Sequence, residues 1–144
     1  CHHHFDFKQC FEVSSLMINF LDLVSRIFIS SIFLLSGISK IFNYDATVGW
    51  MEGFGVPGIL LTPTIFVEIL FPILIIVGYK SKISASILAL FSIITAFLFH
   101  SDFSNQMQII AFFKNIGLAG GLLFLIINGT KGWALEKEKK YVRL

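Results

Sequence analysis

The sequence predicts an all-α protein: an integral membrane bundle of four helices, with both termini in the cytoplasm. Three observations carry that expectation. Of 144 residues, 56% are hydrophobic and only 14% are charged, and the mean hydropathy is +0.82; a soluble domain carries about 25% charged residues. Four apolar stretches each reach the roughly 20 residues that cross a bilayer. The basic residues also fall unevenly between the connecting segments, as an oriented membrane protein requires.

The first span is expected over residues 18–42, rich in Ile, Phe, Leu and Ser. Its polar groups form one stripe. Asp22, Arg26, Ser30, Phe33, Gly37 and Lys40 follow one another at steps of three or four, so they share a helix face. A stripe holding most of a span's polar groups faces protein, not lipid. The connection over residues 43–57 carries Gly49, Gly53, Gly55 and Pro57, with Gly58 following. These mark turns, around a short amphipathic segment near Val48–Met51. The second span covers residues 59–77 and the third residues 83–99, with a tight loop between. A polar loop over residues 101–108 leads to the fourth span, residues 109–127. Gly129 then suits a helix C-terminus.

Domain organisation follows. Residues 1–16 read as a polar tail whose native status is doubtful, because the first methionine is Met17. Residues 17–130 form the membrane domain. Residues 131–144 read as a charged cytoplasmic tail, either a short helix or disordered. One side of the membrane would hold Lys8, Lys80, Lys82, Lys131, Lys137, Lys139, Lys140 and Arg143. The other would hold Lys40 against Asp45, Glu52 and Asp102. The excess of Lys and Arg on the first side places both termini in the cytoplasm. Cysteines there would stay reduced. Tyr44 and Trp50 near one interface, and Tyr79 and Trp133 near the other, suit an aromatic belt.

A net charge of +2 and the lack of basic runs with interleaved aromatics argue against nucleic acid as a partner. Cys1 and Cys10 with His2, His3 and His4 match no structural zinc spacing, so no metal site is assigned. No haem, flavin or iron–sulfur motif is visible.

Ionisable residues inside spans are expensive and point to function. Arg26 either faces the bundle or snorkels to the headgroups. Glu68 lies near the middle of span two, too deep to snorkel. Thr64 is one turn earlier, and Pro72, one turn later, leaves the Glu68 carbonyl without its helix hydrogen bond. Lys114 lies inside span four beside Asn115. With Gly117 and Gly121 it shares a face, which would set it at a helix–helix contact of the small-xxx-small kind. Span three offers the small-residue stripe Ala85, Ala89, Ser92 and Ala96, ending in His100. The expected outcome is a polar cavity opening to the outer side. Its candidates are Arg26, Lys40, Thr64, Glu68, His100, Lys114 and Asn115, with Gly37, Gly117 and Gly121 as packing positions. Lys114 and Glu68 differ in depth by roughly 6 Å at 1.5 Å per residue. They are therefore the expected ion pair, with Arg26 as the competing partner for Glu68.

These residues resemble the DoxX family of small bacterial inner-membrane proteins. The resemblance runs from about Leu21 to Leu123. It rests on Arg26 with Phe33-Leu-Leu-Ser-Gly-Ile-Ser-Lys40, then Gly55-Val-Pro57, Glu68 and Gly78. It closes on Phe99-His100, Gln106 and Phe113-Lys-Asn-Ile-Gly-Leu-Ala-Gly-Gly-Leu-Leu123. The resemblance implies a multi-pass protein of the bacterial inner (plasma) membrane, loosely associated with redox systems such as thiosulfate:quinone oxidoreductases and oxidative-stress complexes. Most members have no assigned reaction. The first functional expectation is an auxiliary membrane subunit of an oxidoreductase system holding a quinone or small oxidant in the polar cavity, with a homo-oligomer as a further expected assembly. The alternative is a non-enzymatic scaffold, assembly partner or small-molecule transporter. The membrane domain has no cysteine, so a thiol relay has no support.

Overall fold

The computed structural model describes residues 7–136, and everything observed there is helix, turn or extended connection. Helix α1 spans Phe7–Phe42 and α2 spans Tyr44–Gly53. A single 3-10 turn, Gly58–Leu60, leads into α3 at Leu61–Val77. Helix α4 spans Ser81–Phe99 and α5 spans Gln106–Asn128. Four helical segments, Phe7–Phe42, Gly58–Val77, Ser81–Phe99 and Gln106–Asn128, are long and apolar enough to cross a membrane. Helix α1 has 36 residues, about 54 Å at 1.5 Å each, well beyond a hydrocarbon core of about 30 Å. Residues 7–16, expected as a polar tail, are thus a continuous extension of the first span.

Helix α1 packs along α3, α4 packs along α5, and α3 joins the two pairs through α4. The core is made where these faces meet: Phe33, Ile75, Ala85, Leu88, Ala89, Ala119 and Leu122 are buried together. The small-residue stripe of α4 is what permits this. Ala85, Ala89, Ser92 and Ala96 are all buried, and short side chains let helix backbones approach closely. The outward faces carry large apolar side chains such as Phe28, Leu35, Phe66, Leu90, Phe97 and Phe124, all exposed. Exposed in water they would be a liability; in a bilayer they are the lipid-facing surface.

The glycine expectations divide. Gly37 is buried, and a Cβ there would lie 2.9 Å from Ile69 Cγ1 and 3.2 Å from Glu68 Cβ. Only glycine lets α1 sit this close to α3. Gly121 also holds a contact, with Ile29 Cδ1 2.9 Å from a built Cβ. Gly117 does not: nothing lies within 4 Å of a Cβ built there. Helix α1 touches α5 sparsely, with Ile29 against Gly121.

Arg26 organises the end of the bundle that carries the termini. Its side chain is 1% exposed, so it does not snorkel. Nε donates to Asp22 at 3.0 Å, one turn earlier. Nη1 donates to the carbonyls of Ile75 at 3.1 Å and Ile76 at 2.7 Å, and Nη2 to the carbonyl of Trp133. The last carbonyls of a helix lack intrahelical partners, and a cation at that end also suits the helix dipole. Gly78 terminates α3 in the left-handed region at φ 76°.

The segment after α5 is not a helix or a disordered tail over the residues described. Residues 129–136 fold back as a strap across this end. The Lys131 amide donates to Asp22 and the Gly132 amide to Asn19 Oδ1. The Leu135 and Glu136 amides donate to the carbonyls of Val77 and Gly78. The strap lies so close to Gly78 that a Cβ there would collide with Ala134. Lys137, Lys139, Lys140 and Arg143 lie outside the described residues. At the opposite end, the hydroxyl and then the amide of Ser104 hydrogen-bond the Asp102 carboxyl and hold it below the usual carboxylate range; Asn105 caps α5 through the Met107 amide.

Cys10 is disulfide-bonded, so the reduced thiol expected there is not found. A bonded sulfur also cannot supply the thiolate that a metal site would need. Cys1 and His2, His3 and His4 lie outside the described residues.

Replacing Arg26 by Met removes the counter-charge of Asp22 and the donors to Ile75, Ile76 and Trp133, leaving the strap held to α3 by the Leu135 and Glu136 amides. Removing one partner of a buried pair costs about 3–5 kcal/mol. Arg26→Met should therefore lower the melting temperature in detergent and make the chain beyond Gly129 a preferred protease site. An unchanged melt with an intact strap would contradict this role.

Candidate functional site

Toward the α2 end, the helices part around a cavity of about 360 Å³. Every helix contributes. Helix α1 supplies Ser36 and Lys40, α2 supplies Thr47, Trp50 and Met51, and α3 supplies Thr64 and Glu68. Helix α4 and its cap supply Phe91, Ser92, Thr95, Phe99 and His100, and α5 supplies Lys114, Asn115 and Leu118. The structure thus brings six of the seven polar candidates together: Lys40, Thr64, Glu68, His100, Lys114 and Asn115. Arg26 is the exception, engaged with the strap at the other end of the bundle.

The expected pairing of Glu68 with Lys114 is not what forms. Lys40 Nζ donates to both carboxylate oxygens of Glu68, at 2.8 and 2.9 Å, and also to Ser36 Oγ at 2.7 Å. Glu68 is 3% exposed and the Lys40 side chain 22%. Two local facts explain the choice. Gly37 lets α1 press against the turn of α3 that carries Glu68. Helical side chains also lean toward the N-terminus of their own helix, so the Lys40 stem runs back past Ser36 to the carboxylate. The sequence sets Lys40 on the polar stripe and in the cavity, but depth measured at Cα positions favours Lys114 as the partner of Glu68.

Lys114 is left unpaired. It is exposed, lines the cavity, and makes no hydrogen bond or ion pair among the described residues. It stands at the gap beside Gly117 rather than in a helix–helix contact. Asn115 is buried, and its Nδ2 donates to Thr95 Oγ1 at 3.2 Å. The Thr64 hydroxyl donates back to the Leu60 carbonyl at 2.8 Å, so it presents only its lone pairs. His100 Nδ1 hydrogen-bonds Gln108 Oε1 at 3.0 Å. Ser92 Oγ is buried with no hydrogen-bond partner.

Sequence reasoning missed the aromatic wall. Trp50 is not simply a belt residue. Its ring stacks on Phe99 at 4.7 Å and meets Phe54 at 4.9 Å, closing the α2 end of the cavity. Helix α2, amphipathic and only 10 residues long, lays this cap over the bundle with Met51 buried beneath it. The paired spacing of Val48, Met51 and Trp50 was the available signal. Ser36 was also missed as the lysine's second acceptor, although it lies one turn before Lys40 on the stripe face. Among the described residues, no three His, Cys, Asp or Glu side chains converge as a metal-holding group.

A four-helix membrane bundle, with a buried ion pair flooring a capped polar cavity, is the class of protein these features define. The DoxX family model matches residues 21–101. Inner membrane protein YqjF of Escherichia coli (strain K12) is 36% identical over 115 residues, covering 80% of this chain and 88% of the relative. Inner membrane protein YphA of the same organism is 30% identical over 123 residues, covering 81% and 88%. No solved structure matches. The chain belongs to the DoxX family, and it is a multi-pass protein of the inner membrane.

Proposed function

We propose that this protein is an auxiliary membrane subunit of a redox or quinone-linked system, and that its cavity holds that system's small ligand. The observation that carries the reading is convergence. Polar side chains from every helix meet in one cavity of about 360 Å³, within the ~300–1,000 Å³ range of ligand sites. A structural ion pair needs no such space around it. The residues present fit a quinone. Lys114 is a free donor for a carbonyl oxygen, and Trp50, Phe91 and Phe99 offer flat apolar walls. A bound quinone would supply two-electron, two-proton redox chemistry; the chain's own groups would bind and orient it.

The test is gentle extraction from bacterial membranes followed by native mass spectrometry. The expected result is a co-purifying quinone, lost from the Lys114→Met variant while its melt stays unchanged. A stable protein partner with an empty cavity would instead favour the scaffold reading. Stoichiometric carriage of a polar solute into sealed vesicles would favour transport.

The orientation that belongs to this reading puts both termini in the cytoplasm and the cavity on the outer side. Sequestering Lys40 against Glu68 leaves the α2 side with Asp45, Glu52 and Asp102, which strengthens the lysine asymmetry. The disulfide at Cys10 pulls the other way, since disulfides persist in oxidising compartments. Reporter fusions after Leu144 and after Asp102 should locate to the cytoplasm and the periplasm respectively. The reverse pattern would overturn the orientation and turn the cavity to the cytoplasm.

A further inference from the structure

A second cavity, about 260 Å³, adjoins the first. It is a groove between α3 and α4, lined by Val56, Leu60, Pro63, Val67, Ile94 and Leu98. Ile94 and Leu98 are each 47% exposed, on the lipid-facing side of α4. Met51, Thr64, Phe91, Thr95 and Phe99 line both spaces. A polar chamber and an apolar groove open to the bilayer therefore share one wall.

Among the described residues that line the polar chamber, one charge stands uncompensated, and it is positive. Both Glu68 oxygens already receive Lys40. Thr95 Oγ1 already receives Asn115 and itself donates to the Phe91 carbonyl. Thr47, Thr64 and Asn115 Oδ1 keep acceptor lone pairs, but the one charge without a counter-charge is the Lys114 ammonium, in the same cavity as the unpartnered, 2%-exposed Ser92 hydroxyl. Lysine can only donate, and a buried hydroxyl without a partner is costly to leave so.

We propose that the two cavities together bind one amphiphile taken laterally from the bilayer: its head, an oxygen acceptor, sits against Lys114 and Ser92, and its single apolar chain lies in the α3–α4 groove. The two spaces lie on either side of the same five side chains, so one molecule with a polar head and an apolar chain matches both. The uncompensated Lys114 ammonium selects a carbonyl or carboxylate head over a cationic one. This inference rests on the reading of the cavity as a ligand site and adds the ligand's chemistry and its route.

The probes are a decyl-substituted benzoquinone, decanoate, decyltrimethylammonium and chainless tetramethylbenzoquinone, titrated into the full chain in nonionic detergent and read by native mass spectrometry. The decyl quinone and decanoate should bind, and the decyl cation should not; which of the two binds more tightly identifies the head. Lys114→Met should weaken both by roughly tenfold or more, the range for a hydrogen bond to a charged group. Ile94→Trp and, independently, Leu98→Trp should fill the groove. They should weaken the chain-bearing probes while leaving tetramethylbenzoquinone unchanged, and both positions face lipid, so a wild-type melt certifies the fold. Equal binding of the decyl cation, or groove variants without effect, would overturn the inference and leave the cavity reading standing. Failure of every probe to bind would overturn both.

Discussion

The rest of the structure is arranged around one ion pair. Lys40 and Glu68 meet at mid-bundle with two hydrogen bonds of 2.8 and 2.9 Å. Removing two charges from water costs several kcal/mol per ion even after relaxation, and only good geometry with further hydrogen bonds offsets it. Each nearby oddity of sequence serves that geometry. Gly37 brings α1 onto α3 at the right turn. Ser36 gives the ammonium a third acceptor. Pro72, buried one turn after Glu68, withdraws a backbone donor from the carbonyl beside the carboxylate.

Because the pair satisfies itself, it frees the opposite wall for binding. Lys114 and Ser92 face the same space with nothing to satisfy them. Had Glu68 paired with Lys114, the bond would run from α3 to α5 across the cavity and fill the space between them. Packing of α1 with α3 and of α4 with α5 instead leaves few contacts along the α1–α5 seam. Arg26 completes the design at the far end. It ties α1, the end of α3 and the strap after α5 together at the end of the bundle away from the cavity.

Much of this was legible in the sequence, for a physical reason. Hydrocarbon tolerates so few polar groups that each one inside a span marks an inward face. The α1 stripe set Asp22, Arg26, Ser30, Phe33, Gly37 and Lys40 toward protein; the middle four are buried and the two end residues half-buried. The α4 stripe behaved likewise. Partner choice was not legible, because helical depth was read from Cα positions. A lysine stem reaches back along its helix by more than a turn, enough to exchange Lys114 for Lys40. The backbone acceptors of Arg26 were invisible too, since every residue has a carbonyl and none is flagged by type. Gly117 carried a motif without a contact, which is the known weakness of two glycines read alone.

The central claim is that Glu68 belongs to Lys40 and not to Lys114. Two double-mutant cycles on thermal or denaturant stability in detergent, using Glu68→Gln with Lys40→Met and Glu68→Gln with Lys114→Met, test it most directly. Residues in one ion pair show interaction energies of about 0.5–3 kcal/mol, whereas independent sites add within about 0.3–0.5 kcal/mol. The account predicts strong coupling in the Lys40 cycle and additivity in the Lys114 cycle. Additivity with Lys40 and coupling with Lys114 would contradict it.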